Sequence, residues 1–202
     1  MLAVRMRVIE RNTGIRFDQG SVPILRLQDL TIGCAQYDSG TREISFDRND
    51  LSKIINGHGC GSLEGTADHE LGHMLMDQVS RRTGNGPWPP PLEKRLTLSP
   101  ERMIGIKMVS EGFAEWTETG GSCSKAASPK LLPAKNETLV SHGREPERMI
   151  YDGGCWLVRD IVSSYGERGL IWIIKHPFVY DPRDVRSSAE AYRGTALAKL
   201  SR

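Results

Sequence analysis

The sequence lacks a long apolar run and a charge excess of either sign. Its longest purely apolar stretch is 170–174, which is far too short to cross a bilayer. Lys and Arg together number 27 against 25 Asp and Glu, so no electrostatic footprint for nucleic acid or an anionic membrane is present. We therefore expect neither a membrane nor a nucleic-acid partner. A chain of 202 residues is long enough to bury a core, and we predict a single domain over 1–202.

The chain also lacks a cysteine pair spaced for metal binding and an apolar leader. Arg5 and Arg7 interrupt the N-terminal stretch, so no signal-peptide pattern forms there. None of the cysteines makes a Cys-x-x-Cys pair, which argues against a cysteine-rich zinc module. We therefore expect a cytoplasmic protein with reduced thiols. The cysteines are Cys34, Cys60, Cys123 and Cys155.

The hydrophobic pattern of the first 60 residues predicts a short helix followed by a small sheet. Residues 1–13 have helical spacing and stop near Gly14, and 22–28 alternate as a strand does. Two further strands, 31–37 and 42–47, flank the turn Asp38-Ser39-Gly40-Thr41 as in a hairpin. We expect this sheet to be antiparallel.

From Gly61 onwards the pattern becomes helical. The first helix begins at Ser62 or Thr66 and ends at Gly84, and a proline-rich loop occupies 84–98. Three more helices are expected, and their predicted ranges are 99–120, 146–166 and 187–200. The fold class is therefore α+β, with a helix and small sheet in 1–60 and a mostly helical part in 61–202.

The most informative segment is His69-Glu70-Leu71-Gly72-His73. On a helix, His69 and His73 project from one face, one turn apart, so both imidazoles can bind one metal ion. Zinc suits such neutral imidazole ligands. Glu70 lies beside this face, where it can reach a water at the metal without binding the metal itself. The segment therefore predicts a catalytic zinc site.

A third ligand is needed, and Glu111 is the best candidate for it. No histidine stands at the short spacing that a His-Glu-x-x-His-x-x-Gly-x-x-His motif requires, because position 79 is Val. Glu111 lies in Ser110-Glu111-Gly112-Phe113-Ala114-Glu115-Trp116 on the second predicted helix, and Gly112 allows that helix to approach the first. We therefore predict His69, His73 and Glu111 as the zinc ligands.

His-Glu-Leu-Gly-His followed by Ser-Glu-Gly-Phe-Ala-Glu-Trp resembles the gluzincin metallopeptidases, the clan of thermolysin and aminopeptidase N. The resemblance covers roughly 60–166 and implies a zincin-like core, zinc on the three predicted ligands and Glu70 as general base. Tyr151, in Met149-Ile150-Tyr151-Asp152-Gly153-Gly154, resembles the oxyanion-stabilising tyrosine of the aminopeptidase N branch. The segment with which that branch binds a free amine is absent upstream, so aminopeptidase activity is not implied.

Zinc-binding histidines usually donate their second ring N–H to a carboxylate or carbonyl. Glu115, one helical turn after Glu111, is the first candidate for such a partner, and Glu118 and Asp77 are alternatives. His142 is a further histidine in a predicted loop, and we assign no role to it.

The sequence thus predicts a zinc-dependent peptidase that acts on a peptide or protein substrate. Two other classes stay open, namely a zinc-binding interaction module without activity and a structural domain without metal. The sequence does not indicate the oligomeric state.

Overall fold

The computed structural model describes residues 1–30, 33–56, 61–123, 132, 149–181 and 183–202. Its helices are α1 (Leu2–Thr13), α2 (Leu51–Ile55), α3 (Leu63–Arg82), α4 (Leu92–Arg95), α5 (Pro100–Glu118), α6 (Gly154–Lys175) and α7 (Val185–Leu200). A π-helical turn, Met149–Gly153, leads directly into α6. The strands are β1 (Ile24–Gln28), β2 (Ala35–Asp38) and β3 (Glu43–Asp47). The molecule is therefore α+β and mostly helical. None of the described helices has the length and apolar character needed to cross a membrane.

Helices α3 and α5 begin where the sequence places capping residues. The Ser62 side chain accepts a hydrogen bond from the Gly65 N–H at the start of α3, and Ser99 does the same for Arg102 at the start of α5. Gly14 ends α1 with a left-handed backbone, φ 69°. The predicted helix that begins at 146 is described only from Met149, since its first residues lie outside the described ranges. The short helices α2 and α4 were not predicted, because one turn has too few residues for a periodic pattern.

The sheet is mixed, so the prediction of an antiparallel sheet holds for the hairpin but not for β1. β2 and β3 form the expected antiparallel hairpin, with Tyr37 opposite Ile44. β1 pairs in parallel with β3, from Ile24 opposite Glu43 to Gln28 opposite Asp47, and the strand order is β1-β3-β2. The prediction assumed that neighbouring strands in the sequence also pair. Here the chain reverses twice between β1 and β3, so these two strands run in the same direction and pair with each other.

Close approach of α3 to α5 requires a glycine at position 72. A Cβ at Gly72 would lie 2.9 Å from the Ala114 Cα and 3.1 Å from the Thr117 side chain. Gly72 therefore lets the motif helix lie directly against α5. Gly112, which we expected in this role, does not face α3.

Gly112 instead faces the start of α6. A Cβ at Gly112 would lie 2.1 Å from the carbonyl carbon of Gly154, and one at Gly154 would lie 2.2 Å from the Met108 carbonyl oxygen. The backbones of α5 and α6 are thus nearly in contact at this point. Because the π-helical turn directly precedes Gly154, this contact fixes where Tyr151 lies relative to α5.

A disulfide joins the same two elements. Cys123, just after α5, bonds to Cys155 in the first turn of α6. Cys34 is also disulfide-bonded, and none of the cysteines in the described residues is a free thiol. The expectation of reduced thiols was therefore wrong. The spacing of scattered cysteines gave no indication of pairing, because the partners meet only after the helices have packed.

The glycine contact between α5 and α6 predicts a large loss of stability for Gly112→Ala. The new methyl group would overlap the Gly154 backbone, and overpacking of this kind costs about 1–3 kcal/mol. We expect a clear decrease in the free energy of unfolding, measured by urea denaturation with the disulfides kept oxidised.

Gly194→Ala is the matched control, because Gly194 lies inside α7 and a Cβ there meets no atom within 4 Å. Replacing a helical Gly by Ala should raise stability by up to about 1 kcal/mol. Equal stability changes in the two variants would contradict this description of the helix packing.

Candidate metal centre

The candidate centre lies between the middle of α3 and the middle of α5. His69 and His73 stand one turn apart on α3, and their ring centroids are 5.0 Å apart with planes inclined by 78°. Glu111 reaches the same point from α5. The side chains are only 12%, 13% and 18% exposed, in that order. The three predicted ligands therefore meet at one partly buried position.

The distances between their ligand atoms fit one metal ion. The Glu111 Oε2 lies 3.2 Å from the His69 Nε2 and 3.4 Å from the His73 Nε2. Two ligand atoms about 2.1 Å from a tetrahedral zinc ion are about 3.4 Å apart. All three atoms lie within 4.8 Å of one another, and this group has no fourth ligand among the described residues. Three protein ligands with one position left open are typical of catalytic zinc sites.

The second ring nitrogens face away from this point and have partners of their own. The His69 Nδ1 lies 3.2 Å from the Glu118 Oε2, and the His73 Nδ1 lies 3.2 Å from the Ser110 Oγ. Such contacts fix the ring orientation and leave Nε2 as the metal-binding atom. Glu118 rather than the expected Glu115 thus contacts His69. Both acids follow Glu111 at helical spacing, so the sequence could not separate them, and nothing in the sequence singled out Ser110.

The charged groups around His69 favour the binding of a metal cation. Burial alone would lower the pKa of His69, but hydrogen bonds to Glu111 and Glu118 outweigh it and raise the pKa to about 10. Burial would also raise the pKa of Glu111, yet the neighbouring His73 and His69 hold it well below its usual range. Burial and the charge of Glu118 raise the pKa of Glu115. Three carboxylates, Glu111, Glu115 and Glu118, thus surround His69. This excess of negative charge favours binding of a divalent metal ion.

Glu70 is buried and held by the hairpin. Its Oε2 accepts a hydrogen bond of 2.6 Å from the backbone N–H of Tyr37 in β2, the strand that packs on α3. The side chain is among the buried polar groups, at 6% exposure. Its negative charge also acts on the neighbouring His69. Glu70 is thus held next to the candidate ligands in the sequence without belonging to their group.

Asp77 holds β2 against α3. Its carboxylate is fully buried and accepts hydrogen bonds from the Tyr37 hydroxyl at 2.8 Å and from the Trp88 backbone N–H at 2.7 Å. Arg81, one turn later, forms an ion pair with it at 2.9 Å. Burial and the charge of Asp77 raise the pKa of Tyr37 far above its usual value, so the hydroxyl remains a donor. Asp77 therefore positions Tyr37, and through it Glu70, rather than contacting a ligand histidine.

Tyr151 lies beside the ligands, in the π-helical turn. Its ring centroid is 5.8 Å from that of His69, with planes inclined by 39°. The side chain is partly exposed. π-Helical turns are frequent at functional sites. The structure therefore brings the three predicted ligands together and places the Tyr151 ring beside His69, with Glu70 next to His69 on α3, while His142 lies outside the described residues.

Comparison with protein families finds none that matches the chain, and neither the curated proteins nor the solved structures give a significant match. The resemblance to gluzincins thus stays a prediction.

The geometry predicts one zinc ion per chain, bound by His69, His73 and Glu111. His73→Ala and Glu111→Ala each remove a ligand, and we expect both to lose stoichiometric zinc because two remaining ligands bind far more weakly. The measurement is metal content after zinc reconstitution and dialysis.

His176→Ala is the control, since His176 lies at the end of α6 and its Nδ1 contacts only the Trp172 carbonyl among the described residues. This variant should keep its zinc. Absence of zinc from the reconstituted wild type, or full retention by His73→Ala, would show that these residues are not the metal site.

Proposed function

We propose that the chain is a zinc-dependent peptidase with a zincin-like core. The observation that carries this proposal is the convergence of the His69 Nε2, the His73 Nε2 and the Glu111 Oε2, with a carboxylate fixed beside them. A structural zinc site is more often closed by four protein ligands and needs no such acid.

The donor set fits zinc, with two imidazole nitrogens and one carboxylate oxygen at the required separations. When bound, zinc supplies an acidified water and polarises a carbonyl group. His69, His73 and Glu111 would hold the ion. Glu118 and Ser110 keep both rings aimed at it through their contacts with the Nδ1 atoms.

Glu70 is the proposed general base. Its Oε2 is engaged by the Tyr37 N–H, and we assign the proton transfer to its Oε1. This oxygen would accept a proton from the attacking water and pass it to the leaving amine. The hydrogen bond from the Tyr37 N–H restricts rotation of the carboxylate, which favours a fixed position for both transfers.

Tyr151 is the proposed oxyanion donor. Its ring lies against that of His69, and its hydroxyl would donate a hydrogen bond to the oxygen that becomes negative during attack. The glycine contact between Gly112 and Gly154 and the Cys123–Cys155 disulfide hold its turn against α5. This bracing supplies the rigidity that such a donor needs.

A peptide is the substrate class that the surroundings support. β2 is an edge strand of the sheet and packs on the motif helix. An extended peptide could pair with such an edge while its scissile bond lies over the metal centre.

The disulfides bear on where the protein functions. Such bonds persist in oxidising compartments and are rare in the cytosol. We therefore propose an oxidising compartment rather than the cytoplasmic location expected from the sequence.

The alternative is a zinc-binding interaction module without catalysis, and Glu70→Gln separates the two. A glutamine keeps the shape and can still accept the Tyr37 N–H, but it cannot take up a proton. We expect zinc content and stability to be retained, with peptide hydrolysis lowered by about 100-fold or more. Cleavage of a mixed peptide library, followed by mass spectrometry, is the measurement.

Glu64→Gln is the matched control, because Glu64 is exposed in the first turn of the same helix, and its activity should equal that of wild type. Hydrolysis by Glu70→Gln at the wild-type rate would exclude Glu70 as general base. A zinc-loaded wild type that cleaves nothing would favour the interaction module.

Tyr151→Phe should also keep zinc, with hydrolysis reduced by about 100-fold as for loss of an oxyanion donor.

A further inference from the structure

A second concave site lies at the far end of the metal-bearing helices. It is formed by the proline-rich segment 84–98, the first two turns of α5 and the end of α6, and its volume is about 340 Å³. Cavities of this size hold small organic molecules. We call it the proline pocket.

The proline pocket is separate from the metal centre. Arg102 lines it from α5, and Glu111 follows nine positions later on the same helix. At 1.5 Å per residue, this places the two about 14 Å apart along the helix axis. A ligand in the pocket would therefore not contact the metal ligands.

The charged residues that line the pocket are all basic. They are Lys94, Arg102 and Lys175, and no acidic side chain belongs to the lining. All three are exposed, and no ion pair within the described residues involves any of them. Three cations without a counter-charge around one cavity attract an anion.

Apart from Asn85, the rest of the lining consists of apolar side chains. Trp88, Pro90, Pro91 and Pro177 present ring surfaces, and Ile106 and Ile174 close the floor from α5 and α6. The Trp88 backbone is fixed by its hydrogen bond to the buried Asp77, so this wall is anchored to the core. The Trp88 indole N–H is itself buried and has no acceptor among the described residues. These side chains suit an apolar ring as ligand.

We propose that the proline pocket binds a small aromatic carboxylate. The aromatic body lies between the proline and Trp88 rings, and the carboxylate faces Arg102 and Lys175. Arginine pairs with a carboxylate through two parallel hydrogen bonds, and the apolar ring surface selects the aromatic body over a simple anion. This proposal does not depend on the peptidase function.

The test is isothermal titration calorimetry of the full chain, with no zinc added, with 2-naphthoate, with its uncharged amide, 2-naphthamide, and with acetate. We expect one 2-naphthoate per chain with a Kd below about 1 mM. The amide should bind at least about tenfold more weakly because it lacks the charge, and acetate should bind more weakly still because it lacks the ring. Added salt should weaken 2-naphthoate binding.

Arg102→Gln and Lys175→Gln should each weaken 2-naphthoate binding several-fold, and together by about tenfold or more. Lys107→Gln is the matched control, an exposed cation on α5 that does not line the pocket, and it should bind as wild type does. Equal binding of 2-naphthoate and its amide, unchanged binding in the double variant, or no binding of 2-naphthoate at millimolar concentration would overturn the proposal.

Discussion

The contact between α3 and α5 determines where the groups of the metal centre lie. The missing side chain at Gly72 lets the two helices approach until a Cβ there would lie 2.9 Å from the Ala114 Cα. At that separation Glu111 reaches the two histidines of α3, and its Oε2 lies within 3.4 Å of both Nε2 atoms. A larger residue at 72 would push the helices apart, and the ligand distances would then exceed what one zinc ion spans. The absence of a side chain at position 72 is therefore a condition for this ligand arrangement.

Two further braces position the groups around the ligands. On one side Asp77 binds the Tyr37 hydroxyl, and the Tyr37 backbone N–H binds Glu70. On the other side the backbone contact of Gly112 with Gly154, together with the disulfide, fixes the turn that carries Tyr151. In the proposed reaction these two groups act on a proton and on an oxyanion, and both tasks require fixed geometry. Buried polar contacts thus hold Glu70, and close backbone packing holds Tyr151, the two groups to which we assign the chemistry.

The sequence predicts most of the helical part, because capping residues and 3.6-residue periodicity are local signals. Ser62 and Ser99 mark the helix starts correctly. Ligand spacing within α3 is also local, whereas the choice of Glu111 rested on its place in the second predicted helix and was supported by the resemblance between motifs. What the sequence did not predict depends on tertiary contacts. The parallel pairing of β1 with β3, the disulfide and the choice of Glu118 over Glu115 all arise when distant segments meet, and no short-range pattern encodes them.

The central claim is that one ion is bound through the Nε2 atoms of His69 and His73 and through Glu111. A crystal of the zinc-reconstituted protein, measured on both sides of the zinc absorption edge, tests it most directly. We expect an anomalous peak about 2.0–2.2 Å from those three ligand atoms. A peak on the opposite side of His69, among its Nδ1, Glu115 and Glu118, which also lie within 4.8 Å of one another, would show that the ion is bound elsewhere. That result, or the absence of any peak at either position, would contradict the central claim.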